Sequence, residues 1–471
     1  MTWETIIGLE THVELSTSTK LFCGCTTAFG AAPNTQCCGV CAGLPGALPT
    51  LNAQAVEYAV KAALALGCTI TQWFGFDRKH YFYPDLPKGY QITQLRTPIG
   101  RDGMVTLPGG MVRIHEMHLE EDAGKLKRDA EGEAQCDYNR CGVPLIEIVT
   151  HPDFRGPGEV VAYLEALRAI LQYLGVSDCK MQEGSLRCDV NISVRPTGSA
   201  ALGTRTELKN LGSLRAIAQA IEHESARQIA LLEAGGTVLQ ETRHWDEDAG
   251  TSNPARSKED AADYRYLPEP DLPAVELSEA YISALATAQP ELPGARRARY
   301  GREYGLGEYD AEMLTSQRAL ADLFEGAVAL GAPPKQCANW ILGEVLRALS
   351  SRGLEMVELP LSSRTLARLI KLVAIGTLNR NTAAAVLDAV FDSDGDIDAY
   401  VRVHGLEQIG DTTLIGRAAE EALAAYPKSV EDYRTGKEKA IVFLVGQVMR
   451  KLGGKADPQA VNRAVRERLN G

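Results

Sequence analysis

The 471-residue chain contains no stretch approaching the roughly 20 apolar residues of a membrane helix. Its opening, Met1-Thr2-Trp3-Glu4, lacks the basic start of a secretion signal, so a cytoplasmic protein with no membrane association is expected. There is no G-x-x-x-x-G-K-[ST] loop, which argues against a P-loop nucleotide site. A G-x-S-x-G elbow and a Gly-Ser-rich amidase-like tract are missing too. Excess positive charge is absent: the formal net charge of -12 argues against an indiscriminate nucleic-acid binder. The 11 cysteines are an odd number, which does not suit a disulfide framework in a long cytosolic chain.

With 45% hydrophobic and 23% charged residues, the composition is that of a soluble globular protein. The length exceeds what one core usually serves, so two or three domains are expected. Charge is unevenly spread. From Tyr426 to Gly471 there are 10 Lys or Arg against 5 Asp or Glu, a balance of +5 against -17 for the rest. Such a tail could draw a nucleic acid to one end, although a solvated helical face accounts for the same count.

Up to about Pro273 the pattern reads mainly as strands and loops with a few helices. Leu186, Cys188, Val190, Ile192 and Val194 alternate with Ser185, Arg187, Asp189, Asn191 and Ser193, a period of two that predicts a strand with one core face and one polar face. Ser213 reads as the N-cap of a helix carrying Leu214, Ile217, Ile221 and Leu232, closed by Gly235-Gly236. Asp246 to Tyr266 reads as a long loop. Beyond Pro268-Glu269-Pro270-Asp271-Leu272-Pro273 the chain turns Ala- and Leu-rich with helical periodicity, through Trp340-Ile341-Leu342 and Leu366 to Leu372. A second break falls near Gly405 to Asp411. After it, Ile441, Leu444, Val445, Val448 and Met449 form one stripe of an amphipathic helix. The organisation is an α+β body, a helical middle and a small helical tail.

Three apolar, strand-like segments each carry carboxylates: Ile7 to Leu15 with Glu10, His12 and Glu14; Val112 to Asp122 with Glu120 and Glu121; and Cys141 to Thr150 with Glu147. A carboxylate in such a run needs a cation, since burying it unpaired is costly. Residues i and i+2 of a strand share a face, so Glu10 and His12 can reach one ion. A histidine on a strand also serves as a hydrogen-bonded core residue. If the three strands share one sheet, their carboxylates and His12 converge on a divalent metal, magnesium or manganese rather than zinc. Glu120 shares the face of His118 and Glu121 that of Leu119, so the parity of the strand leaves open which one is the ligand.

Cys23-Gly24-Cys25 and Cys38-Gly39-Val40-Cys41 are two close cysteine pairs joined by a short loop. Four thiolates in this arrangement suit structural zinc, with Cys37 a spare neighbour of Cys38. Such a site has no open position for catalysis. Asp77 to Gln91 mixes cations, including Lys79 and Lys88, with Tyr81, Phe82 and Tyr83; it can grip phosphates while its rings stack on a base, or pack as an ordinary sheet edge. Ser185, Arg187, Asp189 and Asn191, with Arg205, Glu207, Lys209 and Asn210 downstream, can clamp a phosphate or carboxylate on their sheet face, where the alternative is plain solvation.

Six segments in order, Gly8-Leu9-Glu10-Thr11-His12-Val13-Glu14-Leu15, Tyr81-Phe82-Tyr83-Pro84-Asp85, Leu119-Glu120-Glu121-Asp122-Ala123-Gly124-Lys125, Asn139-Arg140, Pro144-Leu145-Ile146-Glu147-Ile148-Val149 and Gly184-Ser185-Leu186-Arg187-Cys188-Asp189-Val190-Asn191, resemble the B subunits of the bacterial glutamyl/aspartyl-tRNA amidotransferases. Asp263-Tyr264-Arg265-Tyr266-Leu267-Pro268-Glu269-Pro270-Asp271, Met449-Arg450-Lys451 and Gly454-Lys455-Ala456-Asp457-Pro458 extend the match over essentially the whole chain. The resemblance implies a mainly antiparallel β cradle domain at 1–290 that holds ATP and magnesium, an all-α helical domain at 291–408, and a tail domain at 409–471 that engages tRNA. It implies Glu10, His12, Glu121 and Glu147 as magnesium ligands, which selects Glu121 over Glu120. Lys79, Lys88, Ser185, Arg187, Asp189 and Asn191 then become candidates for nucleotide and tRNA-terminus contacts. The zinc knuckle of Cys23, Cys25, Cys38 and Cys41 occurs in only some members. The implied partners are a glutamine-hydrolysing amidase and a small wrapping protein, the A and C subunits of a heterotrimer, which suits the missing amidase signature. The implied reaction is ATP-dependent conversion of misacylated Glu-tRNA(Gln), Asp-tRNA(Asn) or both, by phosphorylation of the side-chain carboxyl and displacement of phosphate by ammonia. That is the chemistry of a carbon–nitrogen ligase with glutamine as amido donor.

Overall fold

Alternating strands can bury one sheet face and leave the other for chemistry, and the first part of the chain does this. A computed structural model describes residues 2–107, 109–128 (127 and 128 by backbone alone), 132–255, 264–354, 359–407, 412–454 and 456–470. Asp263 and Lys455 of the motifs above, and Gln408 to Asp411 at the expected second break, lie outside the described residues. Two compact units are formed, Met1–Leu292 and Pro293–Gly471, in a mixed α+β architecture.

The strands of the first unit are β1 (Trp3–Glu14), β2 (Thr69–Ile70), β3 (Trp73–Phe74), β4 (Asp77–His80), β5 (Tyr90–Thr93), β6 (Gly100–Leu107), β7 (Gly110–Glu121), β8 (Lys125–Arg128), β9 (Ala134–Asp137), β10 (Pro144–Thr150), β11 (Leu186–Pro196), β12 (Thr206–Lys209), β13 (Thr242–Asp246), β14 (Thr251–Pro254), β15 (Leu267–Pro268) and β16 (Val275–Glu276). Nine of them make one sheet in the order β14-β13-β12-β11-β1-β10-β7-β6-β2. Every pairing is antiparallel except β12 with β13. β1 lies at the centre between β10 and β11, so the three carboxylate-bearing strands β1, β10 and β7 are neighbours.

Helices α1 (Ala53–Ala65), α2 (Pro157–Leu174) and α3 (Leu214–Glu233) pack on the sheet. They bury Ile7, Leu9 and Val13 of β1, Ile146 and Ile148 of β10, and Cys188, Val190 and Ile192 of β11. Burial on this scale, at about 25 cal/mol per Å² of apolar surface, is the main force holding the sheet. Ser213 caps α3 by accepting from Ala216 N, and Gly235 follows at φ 77°. The expected loop from Asp246 begins with a hairpin, because β13 folds back on β14. The Pro-rich break near 268–273 does not end the first unit. β16 returns to pair with β3, and α4 (Glu279–Thr287) packs on α1.

The second unit is helical among its described residues. The periodic segment at Trp340 passes through a π-helical turn, Ile341–Val345. Helices Thr412–Ala425, Ala440–Lys451 and Pro458–Asn470 share a separate core of Ile415, Ala419, Ala422, Ile441, Leu444, Val448, Val461, Val465 and Leu469. Every residue of the 441–449 stripe faces or borders that core.

Candidate functional site

On the sheet face away from α1, α2 and α3, strand pairing sets His12 opposite Glu147 on one side and Arg187 on the other, with Glu10 opposite Asp189. Directly paired residues point to the same face, so the register alone assembles a polar cluster. His12 Nε2 stands 3.9 Å from Glu10 Oε1, 3.8 Å from Glu120 Oε1 and 3.9 Å from Glu147 Oε1. Ligand atoms of Asp189, Glu10 and His12 lie within 4.8 Å of one another. The separations from His12 Nε2 exceed a hydrogen bond. His12 thus faces the three carboxylates without hydrogen-bonding to any of them.

The electrostatics carry the same message. Burial and the charges of Glu120 and Glu10 push the Glu147 carboxyl well above its usual range. For Glu10, burial opposes ionisation, but His12, a hydrogen bond shared with Glu147, and the charges of Lys209 and Lys79 outweigh it and hold the group at about 2. Among the described residues, Glu10, Glu120 and Glu147 form no ion pair with Arg or Lys. Cations act on the cluster from a distance and not by direct contact. Lys79 of β4 is held in its charged form against burial by Glu120, Tyr266, Glu147 and Tyr81.

Glu121, the ligand implied by the resemblance, is placed elsewhere. Leu145 of β10 pairs with Glu120 while Pro144 pairs with Glu121, so the two neighbours point to opposite faces. Glu121 forms an ion pair with Lys88 and accepts from Ile92 N at 2.9 Å, whereas Glu120 accepts from Thr93 Oγ1 at 2.7 Å and faces His12. Glu120 thus takes the position expected of Glu121, and Lys88 is drawn away from the cluster with it.

One step along β1, Glu14 joins a second group. Arg187 Nη2 donates to Asp122 Oδ2 at 2.6 Å, and Arg140 Nε lies 3.4 Å from the same oxygen. Burial and the adjacent Asp122 push Glu14 up to about 8, although Arg187 and Arg140 pull the other way. Glu14, Lys125, Asp137, Asn139, Arg140 and Glu183 line a cavity of about 250 Å³ beside this group. Asp189 accepts from Lys209 at 2.5 Å, and Asn191 Oδ1 is buried with no hydrogen-bond partner among the described residues. Ser185 is turned away: its hydroxyl donates to Asp178 at 2.5 Å and accepts from Lys180 N, locking the turn at Gly184, where φ is +85° and glycine is favoured. In the aromatic segment, Phe82 is 82% exposed and Tyr83 is also open to solvent, so neither packs on the core. Tyr264 and Lys79, 5.1 Å from ring centre to ammonium, lie beside this edge. Tyr264 and Tyr266 carry no chemical signature of their own in sequence, and only the pairing of β15 with β4 brings them here.

The sulfur atoms of Cys23, Cys25, Cys38 and Cys41 lie within 4.8 Å of one another. Cys38 N donates to Cys41 Sγ at 3.2 Å, while Cys37 turns to Asn139 Oδ1. The loop ahead of the second pair is zipped to residues 136–139. Asn34 Nδ2 donates to Cys136 O, Tyr138 N donates to Asn34 Oδ1, and Gln36 N donates to Asn139 Oδ1.

Comparison with known proteins gives concordant matches for both units. The family described as GatB/GatE catalytic domain matches residues 5–283, and that described as GatB domain matches 322–469. Proteins named as the B subunits of aspartyl/glutamyl-tRNA(Asn/Gln) amidotransferases are similar over nearly their full length. That of Lachnoclostridium phytofermentans is 51% identical over 473 residues, covering 99% of each chain. That of Caldicellulosiruptor saccharolyticus is 51% identical over 477 residues, covering 100% of this chain and 99% of its own. The Moorella thermoacetica protein is 51% identical over 476 residues, covering 100% of both.

Proposed function

Because the chain belongs to the GatB family of tRNA-dependent amidotransferase subunits, we propose that its sheet face is the site where a misacylated tRNA is activated by ATP and amidated. The protein is one subunit of a ligase that converts Glu-tRNA(Gln), Asp-tRNA(Asn) or both to the amidated forms with glutamine-derived ammonia. Its proposed partners are the amidase and the small third protein of a heterotrimer, and its compartment the cytoplasm; among the described residues no helix is long and apolar enough to cross a membrane.

The observation that carries the site assignment is the meeting of Glu10, Glu120 and Glu147 around His12, with no Arg or Lys in ion-pair contact with them among the described residues. Three carboxylates and one imidazole are a donor set suited to magnesium, with Asp189 beside them. Magnesium held there would neutralise phosphate charge during transfer. The chain's own groups supply the rest. Lys79 presents a fixed positive charge to the phosphates, and the exposed Phe82 and Tyr83 offer stacking surfaces to unpaired bases at the tRNA terminus. The substrate carboxylate attacks the terminal phosphorus of ATP and ADP leaves, giving an acyl phosphate; ammonia then attacks the carbonyl carbon and phosphate leaves. Arg187, Asn191 and Lys209 border this face, and on this reading they orient the reacting carboxyl.

The four cysteines fit a structural zinc, since they converge and leave no open ligand position. The domains are read as a cradle at 1–290, a helical domain at 291–408 and a tRNA-binding tail at 409–471. The test is tRNA-dependent ATP cleavage by the assembled enzyme with His12→Ala. Loss of cleavage with glutamine hydrolysis still measurable supports the site, and unchanged cleavage removes it.

A further inference from the structure

Lys20 belongs to none of the groups above, yet its side chain is fully buried. Its Nζ lies 3.5 Å from Cys41 Sγ and 3.2 Å from the carbonyl oxygen of Tyr138. Among the described residues it forms no ion pair with a carboxylate. Glu121 shares a cavity of about 100 Å³ with Lys20, Cys23 and Cys41, but it is held by Lys88. A buried ammonium without a counter-charge is strongly unfavourable, and the nearest source of negative charge is sulfur.

We infer that Lys20 is the counter-ion of the four-cysteine centre, its ammonium donating to Cys41 Sγ and tying the centre to residues 134–141 through Tyr138. This rests on the zinc reading above, because four thiolates around one zinc carry the excess negative charge that Lys20 lacks elsewhere. A hydrogen bond to a metal-bound sulfur withdraws electron density from it, lowers its reactivity and holds the ligand in place. The same ammonium braces the segment that leads to Arg140, which contacts Asp122. Lys20 is thus a positioning residue that acts through Cys41 and Tyr138.

The test uses the full chain in its complex. Zinc content of the wild type is measured first, then the rate of zinc transfer to a chromogenic chelator for the wild type, Lys20→Met, Lys20→Gln and Lys20→Arg. The Met and Gln variants are expected to release zinc ~10- to 100-fold faster, the range seen when an outer partner of a metal ligand is removed. Lys20→Arg should remain near the wild type. With cobalt(II) in place of zinc, the thiolate-to-metal charge-transfer band should move to lower energy in the Met and Gln variants and stay in place in the Arg variant; a merely space-filling lysine would not move it. If Lys20→Met does not fold, Lys20→Gln carries the comparison. A wild type that binds no zinc removes the metal reading and this inference with it. A zinc-loaded wild type whose Met or Gln variant keeps the wild-type release rate and band overturns the role of Lys20 alone.

Discussion

At the scale of single residues, the arrangement around His12 separates the proposed metal ligands from bystanders. Glu147→Ala should lower tRNA-dependent ATP cleavage by at least ~100-fold, because losing a metal ligand forfeits several kcal/mol of transition-state stabilisation; glutamine hydrolysis by the partner should persist. The neighbours Glu120 and Glu121 give a sharper contrast. Glu120→Gln should weaken the magnesium dependence of ATP cleavage with little effect on the melting transition. Glu121→Gln leaves buried Lys88 without its partner, which should cost roughly 3–5 kcal/mol of stability while the magnesium titration stays as in the wild type. Magnesium titrations and urea unfolding of both variants check this, and a reversed pattern would return the ligand role to Glu121. Sequence shows that the two glutamates face opposite ways. Which face carries the site is set by pairing with β10, where Leu145 selects Glu120, and this register has no local signal.

At the scale of elements, the legible parts are those with a period or a cap. The alternation from Leu186 to Val194 is β11, and Ser213 and Gly235 bound α3. Sequence allows the body a few helices but locates only α3, because α1 and α2 are buried against the sheet and their apolar residues blur into the surrounding strands. The parallel pair β12 and β13 joins segments separated by all of α3, which no hairpin signal announces. α3 also supplies a pH-dependent contribution. Burial raises the Glu224 pKa, but hydrogen bonds from Arg227 and Gln228 and the charges of Arg227 and Arg243 outweigh it, and the net shift is downward. A carboxyl with a lowered folded pKa contributes stability that is fully present above its unfolded value, about 4.3, and is lost as pH falls through the folded value. Glu224→Gln should therefore be less stable than the wild type at neutral pH by roughly 3–5 kcal/mol, as for breaking a buried pair. The gap should narrow below about pH 4.3. Urea unfolding at pH 7 and at pH 3 checks this, and a gap of equal size at both values would show that charge is not the cause.

At the scale of the whole molecule, the charge asymmetry read from sequence has an architecture. Of the tail's cations, Lys437, Lys451 and Arg468 are engaged by Asp432, Glu421 and Glu420, whereas Lys428, Arg434, Lys439, Arg450, Arg463 and Arg466 reach solvent to differing degrees. Cutting at Tyr426 would divide the tail, because Ile415, Ala419 and Ala422 of the preceding helix belong to the same core as Leu444 and Val465. A clean test removes residues 412–471. Each phosphate contact contributes about -0.9 to the slope of log affinity against log salt, so loss of three contacts should flatten that slope by roughly 3 and weaken tRNA binding by at least ~10-fold at low salt. Magnesium-dependent ATP binding and zinc content, which depend on the first unit, should be retained. Filter binding across a salt series, with elemental analysis of the same preparation, provides both measurements. An unchanged slope would mean that these cations are a solvated face, and the tRNA-binding surface would then have to be sought outside the tail.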